Sequence, residues 1–151
     1  MKSLLFILVL CGIAAYVFMQ SSCTKTDNRP DSEKIQEYIA AKGWNAQSTP
    51  EGLYYVIDSL GIGTAYPTIN STVSVKYKGY LLDGTVFDSN QVGISFGLRQ
   101  VIQGWQIGIP KFKKTGRGKL LVPSSLGYGS RAVGSIPANS VLVFEIELLD
   151  F

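Results

Sequence analysis

The chain has 151 residues, long enough for one domain with a short appendage, and its formal net charge of +3 is too small to argue for a nucleic-acid partner. It contains no histidine, which excludes Ser-His-Asp and Cys-His nucleophile pairs and nearly every common zinc or iron site. Its two cysteines, Cys11 and Cys23, both lie in the first 23 residues, so the remainder is expected to work with no metal, no cofactor and no thiol chemistry.

The first element is an apolar run from Leu4 to Met19, preceded by Lys2 and followed by Gln20-Ser-Ser-Cys23. A bilayer-spanning helix needs about 20 apolar residues, and this run is shorter. It matches the core of a signal peptide, with small residues before a cut site. A cysteine directly after the cut is the arrangement of bacterial lipoprotein signals, in which the thiol is acylated. Residues 1–22 therefore read as a lipoprotein-type signal peptide and Cys23 as the lipidation site. Gln20 departs from that pattern, which prefers an aliphatic residue there, and an uncleaved anchor is the competing reading. Both readings export the domain to the cell envelope and hold it at a membrane.

Residues 23–31 are polar and of mixed charge, a tether. Asp31 or Ser32 can cap a helix with Glu33 in its first turn; Ile35, Tyr38 and Ile39 form an apolar stripe, and Gly43 ends it. A helix of about eleven residues is marginal alone, so its stripe is expected to pack on its own domain, in a monomer, rather than on a second copy. With its connector this segment occupies residues 32–49. Leu53 to Ile57 reads as a strand, and Gly61, Gly63 and Pro67 mark the following loop. In T-V-S-V-K-Y-K (72–78), Val73, Val75 and Tyr77 alternate with Ser74, Lys76 and Lys78, a half-buried strand. Asp83-Gly84 signals a turn. Phe87-Asp88 follows, then a short loop, and Val101, Ile102, Trp105 and Ile109 fall at helical spacing on one face of a short helix. Gly104 inside it costs about 1 kcal/mol against alanine, which suggests close packing. Lys111 to Lys119 holds five of the fourteen basic residues and reads as a solvated loop. Lys119 to Val122 is a short strand. In Val141–Leu149, residues Leu142, Phe144, Ile146 and Leu148 are expected inward, and Val141, Val143, Glu145 and Glu147 outward. These elements make an α+β protein, antiparallel strands with one short helix.

The motifs T-V-S-V-K-Y-K-G-Y-L-L-D-G-T-V-F-D-S, V-I-Q-G-W, L-V-P-S-S-L-G-Y-G and S-I-P-A-N-S-V-L-V-F-E-I-E-L-L appear in that order. Together they resemble the FKBP-type peptidyl-prolyl cis-trans isomerases over residues 50–151. The resemblance implies a twisted antiparallel sheet half-wrapped around one short α-helix, here with an extra N-terminal helix. It implies a catalytic set of Tyr77, Phe87, Asp88, Trp105 and Tyr128, with Val101, Ile102, Ile136 and Phe144 binding substrate. Trp105 would floor the pocket, and Tyr128 and Ile136 would stand at its rim. The Tyr128 hydroxyl and the Ile102 backbone N–H would donate to substrate carbonyls, and Asp88 would accept a hydrogen bond. The implied partners are proline-containing polypeptides and macrolide inhibitors. Ser135 and Ala138 are smaller than the family's usual residues, and Val92 stands where an aromatic often lines the pocket, so the rim should be smaller and more polar.

Residue by residue, plainer readings compete. Phe144, Val101 and Tyr77 fit a core by spacing alone, and Asp88 could cap a turn. Tyr128 between Gly127 and Gly129 differs, because a large aromatic flanked by glycines in a loop packs poorly and reaches a ligand well. A proline-segment binding module or chaperone with little turnover would need the same cleft. The isomerase reading is preferred because all five pocket groups are present.

Overall fold

The organising element is one six-stranded antiparallel sheet in the order β1-β2-β5-β6-β3-β4. The strands are β1 (Gln47–Ser48), β2 (Tyr54–Ser59), β3 (Thr72–Leu81), β4 (Val86–Gly97), β5 (Arg117–Val122) and β6 (Leu142–Asp150). The computed structural model describes residues 27–151; the expected signal peptide, Cys23 and the tether up to residue 26 lie outside the described residues. No helix among the described residues is long and apolar enough to cross a membrane.

Helix α2 (Gln103–Gly108) covers one face of the sheet, flanked by 3-10 turns at Leu98–Gln100 and Ile109–Lys111. It is shorter than the spacing suggested. Val101 is extended, Ile102 is the residue before the first turn, and Ile109 belongs to the following 3-10 turn. Trp105, Ile109, Phe112, Leu120, Val122, Phe144 and Leu148 make up much of the core between helix and sheet. Phe112 is fully buried, so the basic stretch from Lys111 is a surface loop hung on a core aromatic that then enters β5.

Close approach of α2 to the sheet depends on Gly104. A Cβ there would lie 2.5 Å from Cγ1 and 2.8 Å from Cγ2 of the fully buried Val122. Because both branches are in the way, no rotamer change relieves the clash. Gly104→Ala is therefore expected to lower the melting temperature, since overpacking of about 1–3 kcal/mol outweighs a propensity gain of about 1 kcal/mol. A raised melting temperature would show that the helix lifts freely off β5.

Helix α1 (Asp31–Lys42) packs on the opposite face. Ile35 is fully buried, and Tyr38 and Ile39 lie against Tyr80, Leu121, Val141 and Val143. The expected packing of this stripe on its own domain is therefore observed. The same contact corrects the reading of β6: Val141 and Val143 are buried under α1, not exposed, because the sheet is covered on both faces. The start of α1 also differs. The residue before its first turn is Pro30, whose carbonyl accepts from Glu33 N at 3.0 Å, and no side chain caps the helix. The carboxylate of Asp31 turns elsewhere. Gly43 ends the helix in the left-handed region at φ 65°, with Trp44 N donating to Ile39 O.

The segment expected to be a short loop after Asp88 is the long strand β4, paired with β3 from Gly97 back to Val86. Its ladder shifts register twice, between Val75 and Tyr77 and between Gly79 and Tyr80. Bulges of this kind break the simple alternation that marks a strand in sequence. At the first, Asn90 Oδ1 accepts from the N–H groups of Val92 and Gly93, and Gln91 Nε2 donates to the Tyr77 carbonyl at 2.9 Å.

Candidate active site

A cavity of about 500 Å³ opens on the α2 face of the sheet. Tyr77 reaches it because β3 alternates, so Val73, Val75 and Tyr77 share the inner face. Phe87 and Asp88 are adjacent on β4, and in a regular strand they would face opposite ways. Gly79 pairs with Asp88 but Tyr80 pairs with Val86, which leaves Phe87 as the extra residue of a bulge. Both side chains therefore line the same cavity. Gly79 makes room for this, since a Cβ there would lie 2.5 Å from the Phe87 ring and 3.0 Å from that of Phe144.

Trp105 forms the floor, 4% exposed. Tyr77, Phe96 and Phe144 surround its ring edge-to-face, with centroids at 5.2, 5.9 and 5.3 Å. Phe87 stacks edge-on against Phe144 at 5.5 Å. Such T-shaped contacts hold ring orientations as well as burying area. The indole N–H of Trp105 is buried without an acceptor among the described residues, a cost of about 1–3 kcal/mol that packing alone does not explain.

Two polar groups stand in this apolar enclosure. The Tyr77 hydroxyl donates to Asp88 Oδ2 at 2.6 Å. Burial, and then the hydrogen bond to the adjacent carboxylate, push the Tyr77 phenol up to about 12. It therefore stays protonated and keeps donating at neutral pH. Asp88 is itself exposed at the cavity mouth. Tyr128 projects from a loop, 37% exposed, and its hydroxyl bonds to no other described residue. The backbone N–H of Ile102 is likewise unpartnered among the described residues, while Gln106 Nε2 fixes the neighbouring Val101 carbonyl at 2.8 Å.

All nine residues singled out from the sequence line this one cavity: Tyr77, Phe87, Asp88, Trp105 and Tyr128 with Val101, Ile102, Ile136 and Phe144. Phe96 is an aromatic wall that the family motifs do not single out, and Val92, expected at an aromatic position, does not line the cavity. Val92 is 90% exposed on the bulge, whereas Phe96, opposite Val73, packs on Tyr77 and Trp105. The alternation of Ile94 and Phe96 with Ser95 and Gly97 carried that signal. Of the two small residues beside Ile136-Pro137, Ser135 lines the cavity and Ala138 does not.

A depression of about 550 Å³ on the opposite face of the sheet is lined largely by Lys76, Lys78, Arg117, Lys119, Glu145 and Glu147. Two ion pairs cross it, Arg117 with Glu147 at 2.7 Å and Lys119 with Asp58, and Glu145 accepts from the Tyr80 hydroxyl at 3.2 Å. The aromatic cavity is the better candidate because apolar rings enclose a small number of polar groups there, whereas the depression is lined mainly by solvated charges.

The chain is similar to known proteins in both sequence and fold. Residues 63–149 match the family described as FKBP-type peptidyl-prolyl cis-trans isomerase. The chain is 50% identical over 119 residues to the FKBP-type peptidyl-prolyl cis-trans isomerase FkpA of Buchnera aphidicola subsp. Schizaphis graminum, covering 77% of this chain and 46% of that protein. It is 43% identical over 128 residues to FkpA of Escherichia coli K12, covering 82% and 46%. The crystal structure of FkpA from Escherichia coli superposes with a TM-score of 0.72 at 41% identity, over 80% of this chain and 56% of that one. A peptidyl-prolyl cis-trans isomerase from Pseudomonas syringae gives 0.69 at 29% identity, over 79% and 91%. The chain thus spans about half the length of the curated relatives it matches. On the family match and these identities, the chain belongs to the FKBP-type peptidyl-prolyl cis-trans isomerase family.

Proposed function

We propose that this chain catalyses cis/trans rotation about X-Pro bonds in exported polypeptides. The observation that carries the reading is the Trp105-floored cavity, walled by aromatic rings, with the Tyr77–Asp88 pair on one wall and a few polar groups, Gln100, Ser135 and Tyr128 among them, around it. Rotation of a peptide bond faces a barrier of about 18–20 kcal/mol because planarity holds amide resonance. The twisted state has lost that resonance and is less polar at its carbonyl. An apolar cavity therefore favours it over the planar ground state, which loses more hydration on entry.

In this reading the rings of Trp105, Phe87, Phe96 and Phe144 hold the prolyl ring, and Val101 and Ile136 narrow the entrance. The Ile102 N–H and the Tyr128 hydroxyl donate to carbonyls flanking the rotating bond. Asp88 holds the Tyr77 phenol in place on the cavity wall. The step makes and breaks no covalent bond, so it calls for no nucleophile. A protease-coupled assay of the chain beginning at Thr24, with an apolar residue before proline, tests the proposal. The expected result is faster exchange than in buffer. A buffer rate from folded protein would leave a proline-segment binding module in its place.

For the N-terminal part we propose a signal peptide over residues 1–22, acylation at Cys23 and a tether leading into α1, which would place the domain at an envelope membrane. Cys23→Ser is expected to leave unprocessed precursor and Cys11→Ser to change nothing, as followed by gel mobility and fractionation. One acyl chain gives only marginal membrane binding, so lasting attachment needs two or more. A Cys23→Ser protein that still sediments with membranes at its mature size would defeat the lipid anchor.

A further inference from the structure

We infer that Asp31 is a positioning residue for the loop that carries Tyr128, an inference that rests on the isomerase reading above. Asp31 lies in the first turn of α1, outside residues 63–149 of the family match. Its Oδ2 accepts a hydrogen bond from the backbone N–H of Ser124 at 2.8 Å, across 93 positions of sequence. Its Oδ1 is 3.6 Å from Lys34 Nζ, and both side chains are largely shielded, at 19% and 17% exposure.

Ser124 opens the 3-10 turn Ser124–Leu126, which has no capping side chain from its own sequence because Pro123 precedes it. The first N–H groups of such a turn have no partner within it. Asp31 supplies that partner from the far face of the sheet. A carboxylate bond to an amide is charge-assisted and roughly twice as strong as a neutral one.

Ser124 is also the hub of the loop. Its carbonyl accepts from Gly127 N at 3.0 Å and from Gly129 N at 2.8 Å, the two residues flanking Tyr128. The Gly129 carbonyl in turn accepts from Asn139 N at 2.8 Å, tying in the second rim loop, which carries Ile136. Tyr128 has an exposed ring and no hydrogen bond of its own to a described residue, and the left-handed Gly129 follows it at φ 59°. Its place over the cavity is therefore set by the backbone. That backbone is gathered at Ser124, and Ser124 is held by Asp31.

The test uses the full chain in detergent, with Asp31→Ala and Asp31→Asn in the wild-type and Tyr128→Ala backgrounds. Asp31→Ala is expected to lower kcat/KM for a prolyl peptide about tenfold, within the known cost of small misplacements. Asp31→Asn should recover most of this, because its amide oxygen still accepts from the Ser124 N–H. In the Tyr128→Ala background the Asp31→Ala change should cost nothing further, as coupled sites do. Amide hydrogen exchange at Gly127 and Gly129 should quicken in Asp31→Ala and not in Asp31→Asn. Unchanged kcat/KM with unchanged exchange would overturn the inference. So would a tenfold loss that persists in Tyr128→Ala, which would mean general loosening of the fold. If the wild-type chain does not catalyse at all, the isomerase reading fails, and the exchange rates alone decide whether Asp31 holds the loop.

Discussion

Phe144→Ala is expected to lower the free energy of unfolding by about 3–5 kcal/mol and to lower activity by raising the unfolded fraction. Phe144 sits on β6, 5% exposed, with its ring edge-on to both Trp105 and Phe87. Leu120 on β5 and Gly79 on β3 are its register partners, so the site is built by the three central strands. A void there cannot collapse without bending hydrogen-bonded backbone. Total stabilities of about 5–15 kcal/mol are usual for domains, so the loss is a large share. Denaturant titration measures it. A change below about 1 kcal/mol would mean that the neighbouring rings relax into the open cavity, leaving Phe144 as a wall residue only.

Asp88→Val is expected to do the reverse, lowering kcat/KM about tenfold, equivalent to about 1.4 kcal/mol in the barrier, while the fold stays nearly as stable. Asp88 is exposed and the cavity is open, so water can replace it as acceptor for the Tyr77 hydroxyl. The phenol itself provides a second readout. Burial and the carboxylate both raise it, to about 12. Removing the carboxylate should bring the midpoint down while burial keeps it above the ordinary value of 10, seen in ultraviolet titration of folded protein. The same raised midpoint means that Tyr77 binds its proton more tightly in the fold. Its contribution is therefore complete below pH 10 and is lost as pH rises from 10 toward 12. A full-rate Asp88→Val enzyme would reduce Asp88 to a surface group.

Much of this was legible in the chain because the relevant physics is local. The alternation of Val73, Val75 and Tyr77 marks the buried side of β3, and the Asp83-Gly84 signal falls on the turn, with Gly84 at φ 89°. What failed did so where distant segments decide. Val141 and Val143 looked outward because nothing in β6 shows that α1 lies over them. Strand β4 looked like a loop because its bulges interrupt the period of two, and the same interruption moved attention from Phe96 to Val92. The nine cavity residues came chiefly from family motifs, since periodicity alone cannot separate a cavity wall from a core.

The order β1-β2-β5-β6-β3-β4 has a consequence for how the domain forms. Strand β6 joins the β1-β2-β5 half to the β3-β4 half, and it follows all of them in the chain. Until it is in place, the halves share no ladder, and β3 and β5 each present an unpaired edge. Pairing of this kind is non-local, with large sequence separations and slow closure. A nascent chain would therefore remain open until β6 has emerged, and Phe144 would arrive together with the act of folding. The cavity cannot exist before the sheet is whole.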